Sequence, residues 1–375
     1  MKDLPAQIPN YCIQDELPGH TGPIVALNVR KDAAVAGAPT VWDLQTKLQI
    51  PVVSPDADIR GITTTFLWIK RDDNVNEALI YGTQLGYIVC CLLETEFKEL
   101  WNRQMPSVPA EVTGLAFDPP TNRLAMCHRG GRVQLSTLNR VMAETNPVDL
   151  QVAHCVPRAV EFGSMHGDER ELLVFGLYCG LVYKVHGTKI CTSDRAWSLG
   201  CRITDVALDV ADNIFAVSDP YSGVNVYSLV PGAGWDMQVK LHVPSQKSRR
   251  IQQMGFLEGN QVVVSGSDHG KLFIYTRRDQ FLTTVDTGSD EWVQTITTAE
   301  VAGVPTIFAA KSSEISGRNN ILVIQKRPAV PKVLVKVVMV LRSVVYVVVI
   351  LAAVAYGYEK IFGEWSFGFA LGSRM

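Results

Sequence analysis

The residues best able to do chemistry are thinly spread. Seven histidines, His20, His128, His154, His166, His186, His242 and His269, fall at no spacing that would close a metal site. Eight cysteines contain no C-x-x-C pair, and most, such as Cys90, Cys91, Cys127 and Cys179, sit in apolar runs where reduced thiols act as small core residues. Phosphate-loop, dinucleotide, H-E-x-x-H and G-x-S-x-G patterns are missing, which removes the usual sequence support for those reactions. A single RGG at 129–131 reads as a turn. The run SQKSRR at 245–250 is a stronger surface feature: Lys247, Arg249 and Arg250 would steer an acidic partner or a phosphate group.

The scaffold that must hold these groups is constrained by composition. The chain has 375 residues, 47% apolar and 19% charged, so it has ample core material and no disorder signature. A formal charge of −2 gives no overall electrostatic case for nucleic acid. The N-terminal stretch lacks the apolar run of a secretory signal. At the other end, residues 337–358 carry a single charge, Arg342, and as a helix would extend about 33 Å, enough to cross a bilayer core. This segment reads as one transmembrane helix, between a basic linker at 327–336 and a short far-side tail at 359–375. Lys332, Lys336 and Arg342 place its N-terminal flank in the cytosol by the positive-inside rule, the layout of a tail-anchored protein. The endoplasmic reticulum or another endomembrane is the expected location.

Ahead of that segment a unit repeats. Turns at Gly37, Gly86, Gly131, Gly180, Gly223, Gly270 and Gly317 each precede a short apolar strand, as in GAPTVWDL, GLVYKV and GKLFIYT. Their spacings, 49, 45, 49, 43, 47 and 47, match the period of propeller blades. Each turn follows a second apolar run (ALIYG, ELLVFG, QVVVSGSD), and a third lies upstream (EVTGLAFD, CRITDVALD), the layout of a four-stranded blade.

The first unit opens on GHTG and closes on VWDL, and the sixth reads SGSDHGKLFIYT. On these residues, 8–326 resemble the WD40-repeat family, which implies an all-β fold, a seven-bladed β-propeller of degenerate repeats over 1–326. Two β-sandwiches or another barrel are the competing architectures. The family likeness also implies a buried network of a Gly-His histidine, a turn aspartate and a strand Trp-Asp. Here the pieces are divided: His20, Trp42 and Asp43 stand in the first unit, whose turn holds Ala38 and Pro39, and Asp268 stands in the sixth. The seventh unit lacks a fourth strand, which IPNYCIQDE, about 8–16, would supply.

The expected function is non-enzymatic and needs no cofactor or small-molecule substrate: a membrane-tethered scaffold that docks cytosolic proteins on the propeller's top face. Arg60, Arg195, Trp197, Arg249, Arg250 and Trp292 lie on or beside the top loops, and Arg and Trp are frequent interface anchors. Two alternatives stand beside it. A cytosolic propeller followed by one span resembles endoplasmic-reticulum guanine-nucleotide exchange factors for a small GTPase of vesicle formation. A propeller hydrolase or lactonase would use a metal in the central channel, and Glu111, Asp205 and Glu291 lie near inner strands.

Overall fold

The structure, a computed structural model, describes residues 11–327 except 21, 31, 38, 72, 74–75, 106–108, 153, 188, 191–195, 231–233, 245–249 and 313–318, together with 344–354 and 356–357. Seven sheets succeed one another along the chain, antiparallel except where Val52–Val53 pairs parallel with Phe97–Gln104 in the second. Their first strands, Leu27–Val29, Thr63–Ile69, Val112–Asp118, Pro157–His166, Asp205–Asp209, Met254–Leu257 and Val293–Val301, surround one axial channel. This is a seven-bladed propeller; two stacked sheets are excluded by the common axis. We number the blades one to seven in chain order.

Burial explains the sequence pattern of each strand. The second strands Ala78–Thr83, Arg123–His128 and Ile214–Asp219 are buried at every position. Neighbouring blades cover both of their faces, so they read as continuous apolar runs. After the buried Phe97, the outer strand Phe97–Gln104, FKELWNRQ, alternates between exposed and partly buried positions because only one face is covered. Seven apolar clusters form among the described residues, one at each interface between adjacent blades. One of them, with Leu17, Trp42, Phe308 and Ile321, joins blade seven to blade one and so closes the ring.

Blade seven borrows its outer strand from the N-terminal side. Tyr11–His20 pairs antiparallel with Asn319–Lys326, with Tyr11 opposite Lys326 and His20 opposite Asn319. Connections between blades and the turns between second and third strands share one rim, the top; the remaining turns share the bottom.

Residues 327–375 form a separate unit. Within it, 344–354 are helical, so the valine-rich run adopts helix and not strand. Eleven residues at about 1.5 Å each cover only half of a bilayer core. Among the described residues no helix is long and apolar enough to cross a membrane. The rest of the predicted span, other than 356–357, lies outside the described residues, as do Lys332, Lys336 and Arg342.

Candidate functional site

The repeat signatures are structural. Trp42 is fully buried and its indole N–H donates to the Pro18 carbonyl at 3.2 Å. His20 meets it edge-on, ring centroids 5.1 Å apart. Gly37, at φ +61°, supplies the space: a methyl group there would come within 2.5 Å of His20 Cε1. With no turn aspartate in this unit, His20 Nε2 is buried without a hydrogen-bond partner, and burial pushes the imidazole pKa down to about 4. The ring is therefore neutral at physiological pH. Asp43 does not join it. Its carboxylate instead accepts from the Thr46 amide and hydroxyl and the Gln45 amide, capping the turn into the fourth strand. Asp268 is buried with Oδ1 3.1 Å from His269 Nδ1.

The top rim has two zones. Between blades one and two lies a cavity of about 380 Å³, lined by His20, Pro23, Pro39, Ile62, Tyr81 and other residues. The exposed apolar residues Ile59, Ile62 and Leu85 lie on the loops beside it. Arg60, expected as a contact residue here, is only 5% exposed. Glu99 holds it through two bonds of 2.6 and 3.2 Å, and Ser54 links the same carboxylate to the Tyr81 hydroxyl. Arg60 thus braces blade two and is not free to dock a partner. Burial pushes the Glu99 carboxyl upward, but the bonds from Arg60 and Ser54 outweigh it and hold the group below its usual range.

The second zone spans blades four to seven. Arg202 lies over two exposed tyrosines, 5.9 Å from the Tyr178 ring and 5.0 Å from Tyr221. Arg250 lies 4.9 Å over Trp292, so two residues singled out from sequence meet. Neither arginine forms an ion pair among the described residues. Aromatic faces fix each guanidinium while leaving its N–H donors available. Trp197 is elsewhere: it lies on the outer edge of blade four, against Lys184 at 4.5 Å and Trp235 at 6.3 Å, and is half-buried. Arg195 and Arg249 lie outside the described residues.

Sequence reasoning missed Arg202, Tyr178 and Tyr221. The available signal was the slot two before each turn glycine, held by Asp268 in blade six and by Tyr178 and Tyr221 in blades four and five.

The channel is polar, about 300 Å³, and lined by Asn28, Thr64, Arg158, Glu161, Asp205 and Gln253 among others. Of the three carboxylates expected there, only Asp205 lines it. Glu111 pairs with Arg129 at 2.9 Å, and Glu291 lies 3.4 Å from Lys311. Glu161, on the inner strand of blade four, takes their place. Its pKa is pushed up to about 8, by burial first and then by Asp205, whose own rises to about 6 through burial against the opposing pull of Arg158. Among the described residues no group of three or more His, Cys, Asp or Glu is disposed to hold a metal.

This has a pH consequence. The folded Glu161 holds its proton up to about pH 8, whereas the unfolded group releases it near 4.5, so stability falls as pH rises through that window. Glu161→Gln should match the parent at pH 5 and gain about 2 kcal/mol at pH 9 in urea unfolding, less than the full shift because channel water screens the charge. Equal stabilities at both pH values would show that Glu161 ionises freely.

No family model matches the chain, and no curated protein does. Matches among solved structures run to 1333 chains, so the architecture is too common to select a function. One is the crystal structure of the RRP9 WD40 repeats, with a TM-score of 0.62 at 13% identity, covering 86% of this chain and 99% of that one. At that identity the likeness concerns fold alone. Residues 11–326 therefore have the fold of a seven-bladed WD40 β-propeller.

Proposed function

We propose that the protein is a docking platform that captures partner proteins on the top rim of its propeller while 337–358 tether it to a membrane. The observation that carries the docking reading is the composition of that rim. Ile59, Ile62, Leu85, Tyr178 and Tyr221 are exposed there, the first at 70%, alongside Arg202 and Arg250 on aromatic faces. Large apolar and aromatic side chains with arginine are what interface centres use, and rigid blades hold them at low entropic cost. Guanidinium groups that form no ion pair among the described residues favour an acidic partner segment. An apolar side chain of the same partner fits the cavity beside Ile62.

The tether rests on sequence: a nearly uncharged apolar run with Lys332, Lys336 and Arg342 on its N-terminal flank favours a cytosolic propeller on an endomembrane. Alkaline carbonate should leave the full chain in the membrane pellet and release a chain ending at Lys326; release of both would remove the anchor.

Affinity capture of the full chain in mild detergent tests the platform. Arg202→Glu with Arg250→Glu should reduce recovery of the captured partner at least about tenfold, roughly 1.4 kcal/mol. Lys70→Glu, on the bottom rim, should leave it unchanged. Equal recovery by all three proteins would move the docking surface away from this zone. A small GTPase as the recovered partner would favour exchange activity.

A further inference from the structure

Cys179, expected from its apolar run to act as a small core residue, has its sulfur 3.5 Å from that of Cys155. Cys155 stands in the connection entering blade four and Cys179 in the turn between its second and third strands, so both belong to the top rim. Room for the pair is made by Gly176, where any β-carbon would collide with both sulfurs. Cys155 is buried; Cys179 is partly exposed. Cys90, Cys91 and Cys127, by contrast, are all buried, so none of them presents a sulfur to solvent.

We propose that Cys155 and Cys179 form a peroxide-sensitive dithiol that closes to a disulfide. Cys179 is the attacking sulfur because solvent reaches it, whereas Cys155 is buried. Its thiolate attacks one oxygen of hydrogen peroxide. The O–O bond breaks, the departing hydroxide takes a proton and leaves as water, and Cys179 becomes a sulfenic acid. The Cys155 sulfur then attacks the Cys179 sulfur; the S–O bond breaks, and the hydroxyl departs as water with the Cys155 proton. Two thiols and one peroxide yield one disulfide and two waters. The cross-link stands one residue from Tyr178, beside the docking zone.

The test is intact-mass and peptide mapping of the full chain in neutral detergent after stoichiometric hydrogen peroxide at pH 7. The expected product has lost two hydrogens, yields a 155–179 cross-linked peptide and reverts with dithiothreitol. Cys179 should react at least about tenfold faster than the half-exposed Cys12. Cys155→Ser should halt at the sulfenic acid, trapped by dimedone on Cys179. Two results overturn the proposal: both thiols persist while Cys12 oxidises, or Cys179 gains oxygen in the parent chain with no cross-link.

Discussion

Gly270→Val is expected to cost about 4 kcal/mol or more, among the largest single-residue effects in the propeller. Gly270 sits at φ +68°, where a β-branched residue alone costs on the order of 1–3 kcal/mol. A side chain there would also strike the Ser289 carbonyl and lie 3.1 Å from Asp290 Cα, backbone that cannot swing aside as a flexible side chain could. The turn cannot relax away either, because the Gly270 carbonyl accepts from the Thr287 amide at 2.9 Å and its hydroxyl at 2.7 Å. Gly259 is the internal control: φ is +59°, and nothing stands within 4 Å of its missing β-carbon. Urea unfolding should place Gly270→Val at least about 2 kcal/mol below Gly259→Val. Equal losses would mean that dihedral strain, and not the closeness of the blade six to seven connection, fixes this glycine.

That same steric demand is why the fold was legible. Gly37, Gly86, Gly131, Gly180, Gly223 and Gly270 all have positive φ, so each turn left a mark that no other residue supplies cheaply. Gly317 lies outside the described residues. Continuous apolar second strands were equally visible, since burial on both faces is recorded residue by residue. The site was less legible because its pairings depend on register between distant strands. Arg60 looked like an exposed loop cation; Glu99, 39 positions away on the blade's outer strand, turns it into a buried brace. Glu161 looked like one more charge in an inner strand, and only ring closure directs it into the channel beside Asp205. Cys155 and Cys179 are 24 positions apart, and nothing local announces that Gly176 leaves space for both sulfurs.

Ring closure itself predicts the other large effect. The strand Tyr11–His20 completes blade seven, but its side chains serve two interfaces: Leu17 packs in the cluster with Trp42 and Phe308, and Tyr11 in the cluster between blades six and seven. The Tyr11 hydroxyl also donates to Glu258, which Lys326 binds at 2.7 Å. Removing residues 1–20 deletes the buried Tyr11 and Leu17 side chains, worth about 2–3 kcal/mol each, along with the buried His20 ring and a ladder of main-chain hydrogen bonds. Set against a total stability of about 5–15 kcal/mol, that is enough to open the ring. It also bares Asn319–Lys326, the apolar strand NNILVIQK, as an unprotected sheet edge that can pair with another chain. The truncated protein should therefore lose its cooperative melt and sediment as aggregates. A peptide spanning residues 8–20 added in trans should restore monomer by adding back the missing strand. Leu17→Asp should weaken closure in the same direction without shortening the chain, because it places a carboxylate among Trp42, Phe308 and Ile321. A truncated chain that remains monomeric with the parent's melting curve would mean that the seven blades hold together without this strand, and that the cluster between blades one and seven suffices alone.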